Sequence, residues 1–334
     1  MSHVNLYDEK SLLKLLKLQK KHNWDLETSF NWDAPIDLEK PLVALDKQAF
    51  LFPGASKEQR IVISQMMGLL IASAIASMED FLIAQEKPCW HDIYQKTPVS
   101  PEFVDLGNHF FEEEKKHSLS FKRYIEKFAH QVNVDLDDLQ SILPKIENTL
   151  AESALMNNLK SGGHAFWWLV VIAEQVFLNI YFNLKPFQKH IEPLYYDLHK
   201  KHFEEEAKHA PFPYLLLELL IDRHPHPTNM LHAKADLAFA QLIQTSWTLG
   251  ALNRIKKVNH LSDKNSFFRV LKDVLPLMDK IGPIKVLWKL LSETPYVSSF
   301  VNPGSAKKIQ RFAQGYGSVS LPFPVYNPQK LVNY

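Results

Sequence analysis

Two long apolar segments of this chain each contain a glutamate well inside them, and this combination leaves few folds open. The segments are residues 61–83 (IVISQMMGLLIASAIASMEDFLI) and 165–182 (AFWWLVVIAEQVFLNIYF). Each is long enough to cross a bilayer, but an acidic side chain deep in a membrane is costly. We therefore expect both segments to be core helices of a soluble helical protein. Their glutamates, Glu79 and Glu174, are then buried and need a reason for burial.

The remainder of the chain also predicts helices. Only 10 of the 334 residues are glycine, no stretch alternates apolar and polar residues as a strand would, and apolar residues recur every three to four positions. We therefore predict an all-α protein, and Ser100 followed by Pro101 predicts one helix start. The predicted helices span residues 9–21, 57–86, 101–131, 135–160, 164–184, 192–221, 227–246, 264–279 and 283–292. Residues 23–56 and 300–334, rich in proline and aromatic residues, are interpreted as extended arms packed on the helices.

Composition and charge exclude several classes of binding partner and of cysteine-based site. Lys and Arg total 38 against 37 for Asp and Glu, so no broad cationic field is available for nucleic acid or an anionic membrane. The single cysteine, Cys89, excludes an internal disulfide framework and a thiolate-rich metal cluster, as expected for a reducing cytoplasm. The segment MSHVNLYDEK lacks a positive stretch followed by an apolar one, so no secretion signal is predicted.

Two acidic runs beside histidines are open to two interpretations, a solvated helix face and a metal site. In the first run, FEEEKKH at 111–117, the positions one turn from Glu114 include two phenylalanines and His117, so Glu114 is predicted to face inward. Glu112 instead precedes two lysines by three and four residues, as residues on a solvated face do. The glutamates of this run are thus expected to divide between two faces.

The second run, HFEEEAKH at 202–209, repeats this division. Glu206 shares a helix face with His202 and His209, whereas Glu205 lies near two lysines and is expected to be solvated. An isolated carboxylate in the apolar segments would take up a proton or destabilise the fold, and a divalent cation removes that problem. We therefore favour a metal site over a solvated face.

The spacing of the glutamates predicts how the helices pack. Glu79 and Glu114 are 35 residues apart, and Glu174 and Glu206 are 32 apart. Two antiparallel helices of about 30 residues bring such a pair to one level near mid-length. The 60 residues between Glu114 and Glu174 allow a crossover that contains a further helix. The prediction is a ferritin-like four-helix bundle with additional helices and extended N- and C-terminal arms, because such bundles hold two metals with one glutamate from each of two helices and Glu-x-x-His from each of the others.

This pattern predicts a dimetal site. Carboxylates bridge and chelate two divalent ions, each imidazole supplies a neutral nitrogen, and open positions remain for dioxygen. His202 lies four residues before Glu206 and seven before His209, so it is a candidate seventh ligand. A residue that only hydrogen-bonds a ligand, or a surface histidine alongside His199, would show the same spacing. The six ligands predicted from the pattern are Glu79, Glu114, His117, Glu174, Glu206 and His209.

The order of these residues resembles the seven-ligand arrangement of the p-aminobenzoate N-oxygenase (AurF-like) di-iron family, over about residues 55–215. The motif as it stands here is Glu79, Glu114-x-x-His117, Glu174 and His202-x-x-x-Glu206-x-x-His209. The resemblance implies that His202 is a ligand. It implies a soluble homodimer that binds two iron ions (Fe2+/Fe3+), and a manganese-containing pair would fit the same ligands. It implies an enzyme that oxygenates an arylamine nitrogen with O2 and electrons from an external donor, a ferredoxin or a reductase.

Three other functions fit parts of the pattern. The first is a di-iron enzyme that hydroxylates or desaturates a C–H bond of an apolar or acyl substrate with the same metals. The second is a non-catalytic dimetal protein that stores metal. The third is a helical scaffold without chemical activity. Seven ligands favour N-oxygenation, and the C-terminal extension favours a closed substrate pocket over storage. We predict one helical di-iron oxygenase domain over 1–334, with its metal-binding core at about 57–221 and a helical extension at 222–334, and we assign no catalytic residue beyond the metal site.

Overall fold

The computed structural model describes residues 9–21, 23–45, 54–97, 99–146, 150–209, 211–222 and 227–281. In these residues the chain forms helices and no β-strand, which confirms the all-α prediction. The α-helices are α1 Glu9–Lys21, α2 Lys57–Ala84, α3 Asp92–Lys96, α4 Pro101–Gln131, α5 Leu136–Ile142, α6 Leu150–Lys160, α7 Ala165–Leu184, α8 Pro193–His209, α9 Pro211–Asp222, α10 Pro227–Ile255 and α11 Ser266–Ile281. The predicted helix at 283–292 and the predicted arm at 300–334 lie outside the described residues.

Four of these helices form the core as two antiparallel hairpins. α2 packs along α4, α7 packs along α8, and α4 contacts α8. In the first hairpin Lys115 pairs with Glu86, two residues beyond the end of α2, whereas Lys122, seven residues further along α4, pairs with Asp80. In the second hairpin the ring of Phe177 lies 5.3 Å from that of His202, and earlier residues of α8 meet later residues of α7. The predicted pairing of these four helices into two antiparallel hairpins is therefore confirmed.

The starts of α2 and α4 are encoded by local capping residues. Ser56 and Gln59 form a capping box, in which the Ser56 hydroxyl accepts from the Gln59 N–H at 3.1 Å and the Gln59 side chain accepts from the Ser56 N–H at 2.8 Å. Ser100 accepts from the Phe103 N–H at 3.3 Å, and Pro101 occupies the first helical position. These caps set where each helix begins and so place Glu79 and Glu114 at one level.

Two predicted helices are wrong in extent because prolines interrupt them. The predicted helix 135–160 is split into α5 and α6: Leu143 is extended, as expected for a residue before proline, and the Ser73 hydroxyl donates to the Pro144 carbonyl at 2.7 Å. The predicted helix 192–221 is likewise two helices, because Pro211 has no N–H to continue the hydrogen bonding of α8. α8 therefore ends at His209, the last predicted ligand.

The remaining described elements cover the four-helix core. α1 packs on α4 and α8, α10 on α7, and α11 on α2. Residues 23–45, which follow α1 and which we call the N-terminal arm, lack regular helix but bury Leu42 and Val43 fully. A Cβ added at Gly68 of α2 would lie 2.3 Å from Leu42 Cβ, so only glycine permits this close approach. The predicted packing of an arm on the bundle is confirmed for these residues.

α2 and α7 are long and apolar enough to cross a membrane, as the sequence indicates. In the structure 72% of the most apolar window in α2 and 76% of that in α7 are buried inside the protein. Such burial is typical of core helices in a soluble bundle. The division of the chain into a metal-binding core and a C-terminal extension stays a prediction.

Candidate metal centre

The seven predicted ligands converge at the centre of the four-helix core. Each has a relative exposure of 2% or less. Two sets of four offer ligand atoms that lie within 4.8 Å of one another, and His117 and Glu206 belong to both sets. The first set is Glu79, His117, His202 and Glu206, and the second is Glu114, His117, Glu206 and His209. Two overlapping sets of this kind are what a pair of neighbouring metal ions requires.

The histidine nitrogens face carboxylate oxygens across short gaps. His117 Nδ1 lies 3.1 Å from Glu206 Oε1 and 3.7 Å from Glu114 Oε2. His209 Nδ1 lies 3.2 Å from Glu114 Oε1 and 3.7 Å from Glu206 Oε2. Both imidazoles therefore direct the same nitrogen, Nδ1, at the same two carboxylates.

Hydrogen bonding within the described residues shows which atoms are left to bind a metal. Buried polar atoms are almost always hydrogen-bonded, so several partnerless atoms in one place call for an explanation. The partnerless atoms here are Glu79 Oε2, Glu114 Oε1, His117 Nδ1, Glu174 Oε2, both Glu206 carboxylate oxygens and His209 Nδ1. All are oxygen or imidazole nitrogen donors suited to iron or manganese, so the residues fit a metal pair.

Glu174 lies beside these sets but outside both of them. Burial raises the pKa of Glu174 well above its usual value, and the charge of Glu206 raises it further. Burial also raises the pKa of Glu206, but the charge of His202 and the closeness of Glu174, His117 and His202 bring it well below its usual value. Without metal, the surroundings thus favour the protonated form of Glu174 and the charged form of Glu206.

The prediction that Glu205 lies on a solvated helix face is wrong. It is fully buried, and its Oε2 lies 2.8 Å from His117 Nε2. Glu113 makes the corresponding contact with the other imidazole, because its Oε2 lies 2.5 Å from His209 Nε2. Each carboxylate therefore accepts the outer N–H of an imidazole on the opposite helix, which fixes the tautomer that leaves Nδ1 free for metal. Glu112 does lie on the solvated face as predicted, with 68% of its side chain exposed.

His202 is not a surface histidine. Its relative exposure is 1%, and its Nε2 lies 2.9 Å from Glu79 Oε1 and 2.8 Å from Glu206 Oε1. His199, one turn earlier on α8, is also buried, and burial holds its pKa well below the usual value. His199 packs against Tyr195 and Phe121 and belongs to neither ligand set.

We expect His202→Ala to weaken binding of one metal ion by at least about tenfold, since even residues that only orient a ligand contribute roughly 10–100-fold to affinity. The second ion should bind as in the wild type, because the set with Glu114 and His209 does not include His202. Anaerobic titration with ferrous iron, monitored by isothermal calorimetry, measures the affinities of both ions. His199→Ala is the matched control, a buried histidine of the same helix outside both sets. Equal effects of the two substitutions would show that His202 is not a ligand.

Comparison with known proteins agrees with the geometry. The family model described as P-aminobenzoate N-oxygenase AurF matches residues 7–248. Comparison with curated proteins and with solved structures gave no match. The family match spans well over half of the chain and includes all four core helices and every predicted ligand. This chain therefore belongs to the p-aminobenzoate N-oxygenase (AurF) family of di-iron enzymes.

Proposed function

We propose that the protein is a di-iron monooxygenase that activates O2 and oxygenates the nitrogen of an arylamine or another small amine. The observation that carries the proposal is the pair of overlapping ligand sets, several of whose oxygen and imidazole nitrogen atoms have no hydrogen-bond partner among the described residues. Membership of an N-oxygenase family supports transfer to nitrogen. Glu79, Glu114, His117, Glu174, His202, Glu206 and His209 are proposed to hold the metals.

Residues around the proposed metal site orient its ligands and exclude water from it. Two bound irons would supply the redox chemistry that activates O2. The carboxylates of Glu113 and Glu205 hold the outer N–H groups of His209 and His117. Phe121 lies 5.1 Å from His202 by ring centroids, and the whole ring is buried, so it excludes water beside the site. The protein thus supplies orientation and a dry surrounding.

We further propose the setting in which this chemistry occurs. The metal pair is iron, with a manganese-containing pair as the alternative that the same ligands accept. The partners are a small-molecule amine, O2 and an external electron donor, a ferredoxin or a reductase. The protein acts as a homodimer in the cytoplasm, without nucleic acid or membrane as partners.

Product analysis with isotopic oxygen tests the reaction. We expect protein loaded anaerobically with ferrous iron, then reduced and exposed to 18O2 with a panel of arylamines, to place 18O on nitrogen. The same panel contains fatty-acyl and apolar substrates that report C–H oxidation, and metal-free protein is the control. Oxygen found only on carbon would favour a hydroxylase. Uptake of many irons per chain without product would favour storage.

A further inference from the structure

The N-terminal arm reaches one of the predicted ligands directly. The indole of Trp24 lies nearly parallel to the imidazole of His117, with ring centroids 5.8 Å apart and an interplanar angle of 19°. Trp24 is 6% exposed, and its indole N–H has no hydrogen-bond partner within the described residues. Ring stacking, and not an indole hydrogen bond, therefore holds the Trp24 side chain against His117.

A single carboxylate connects the arm, α4 and His117. Glu205 Oε1 accepts from the Trp24 backbone N–H at 3.2 Å and from Lys116 Nζ at 2.8 Å, while Glu205 Oε2 accepts from His117 Nε2 at 2.8 Å. Lys116 Nζ also lies 4.2 Å from the centre of the Trp24 ring and donates to Asn23. Loss of the arm would remove one hydrogen bond to Glu205 and the stacking contact of Trp24 with the His117 imidazole.

The cation beside this carboxylate strengthens its hold on the imidazole. Lys116 Nζ forms an ion pair with Glu205 Oε1 at 2.8 Å, so a positive charge lies next to the carboxylate that holds His117. A charged acceptor makes a stronger hydrogen bond to an imidazole N–H than a neutral one does. Lys116 is 16% exposed at its side chain, so it is largely shielded from screening by water.

The other outer imidazole is held differently. His209 is bonded to Glu113, and its ring contacts in the described part of the chain are with Phe110 and His117, both on α4. Its support therefore comes from within the bundle. The two imidazoles that present Nδ1 to the metal site differ in one respect, because only His117 is packed against the arm.

We propose that Trp24, which stacks on His117, and Lys116, which acts on His117 through Glu205, are positioning residues, so that docking of the N-terminal arm and metal binding at His117 are coupled. This inference rests on the dimetal site of the proposed function. Stacking prevents the imidazole from rotating, and the carboxylate keeps the proton on Nε2 so that Nδ1 remains a donor for metal. Coupling is reciprocal, so metal at His117 stabilises the docked arm to the same extent that the docked arm raises metal affinity.

The arm offers a matched control for Trp24. Trp32 is a second buried tryptophan of the same segment, with its ring 5.3 Å from Phe30 and Arg123 placed 4.5 Å from its centre. It contacts arm and α4 residues as Trp24 does, but its described ring contacts do not include a predicted ligand. Trp32→Leu therefore removes a buried indole of the arm without removing a contact to His117.

Anaerobic titration of the full-length protein with ferrous iron tests the proposal. We expect Trp24→Leu and Lys116→Met each to weaken one of the two binding steps by about 10–100-fold, as for other residues that orient a ligand. Lys116→Arg should restore most of the affinity, because it keeps the cation. Trp32→Leu, and Lys115→Met at the exposed neighbouring lysine, should leave both steps within about threefold of the wild type, in line with their position away from the ligands.

Hydrogen exchange of the arm provides a readout that is independent of activity. Saturation with ferrous iron should slow amide exchange over residues 23–30 in the wild type, and this slowing should be lost in Lys116→Met. Wild-type protein that binds two irons, with Trp24→Leu no different from Trp32→Leu, overturns this inference and leaves the proposed function standing. Wild-type protein that binds no metal pair overturns both.

Discussion

A Glu206→Ala protein is expected to lose tight binding of both metal ions, with each affinity falling by more than the roughly 100-fold that an orienting residue contributes. Glu206 belongs to both ligand sets, with Oε1 2.8 Å from His202 Nε2 and 3.1 Å from His117 Nδ1 and Oε2 3.7 Å from His209 Nδ1. No other carboxylate is shared by the two sets in the described residues. Elemental analysis after anaerobic iron loading and desalting measures the retained metal.

Glu204→Ala is the control for this substitution. Glu204 belongs to the same acidic run, but it is exposed and pairs only loosely with Lys201, at 3.9 Å. Surface substitutions of this kind change stability by about 0.5 kcal/mol or less. We therefore expect two irons per chain in Glu204→Ala. Two irons per chain in Glu206→Ala as well would contradict the dimetal assignment.

The metal-free protein is expected to lose stability as the pH rises from 7 to 8. Burial raises the pKa of Glu79 to about 8, above the ordinary 4.5, so the folded protein holds a proton that the unfolded chain has released. Where the folded state binds more protons, the free energy of unfolding falls with rising pH. The raised pKa values of Glu174, His117 and His209 act in the same direction. His199 acts in the opposite direction, but only below about pH 7, where an ordinary histidine starts to take up a proton.

Bound metal should reverse this trend. Metal replaces the protons on its ligands, so its affinity and its stabilising effect increase with pH. At a free concentration of 100 times the dissociation constant, each ion contributes about 2.7 kcal/mol to the free energy of unfolding. Urea denaturation at several pH values, with ferrous iron or with a chelator, measures both slopes. Metal-free and loaded proteins with equal midpoints at saturating iron would show that the ions do not bind the folded core.

Two substitutions on α2 isolate the contribution of Glu79. Glu79→Gln cannot ionise, so the metal-free variant should show a weaker pH dependence between 7 and 8 than the wild type. Glu58→Gln, at an exposed position in the first turn of α2, should keep the wild-type slope. A Glu79→Gln protein with the full wild-type slope would mean that other groups carry the titration.

Periodicity predicted the inward glutamates because a buried helix face repeats within a single helix. Glu114 and Glu206 sit among apolar and histidine neighbours one turn away, and that information is local. The capping residues at Ser56 and Ser100 are local too, so the beginnings of α2 and α4 were predictable. These features determine the level at which the hairpins meet, and six of the seven residues fall into the two ligand sets.

Glu205 was mispredicted because its partners are distant in the sequence. Its neighbouring lysines suggest a solvated face, but its backbone partner Trp24 is 181 residues away and its partner Lys116 is 89 residues away. The arm that covers Glu205 has no periodicity from which its docking position follows. The breaks at Pro144 and Pro211 were missed for another reason. Apolar periodicity continues on both sides of each proline, so the pattern alone hides the change of direction.

α4 and α8 each supply the carboxylate that holds the histidine of the other helix. This arrangement limits which substitutions either acidic run can accept independently of the other. A change at Glu113 alters the environment of His209, 96 positions further along the chain, and a change at Glu205 alters that of His117, 88 positions earlier. A shorter acid at either position would have to be matched by a shift of the opposite helix, and that shift would disturb the second pair as well. Each run therefore depends on the other for the orientation of its histidine, and neither could be transplanted alone into another bundle with its histidine correctly oriented.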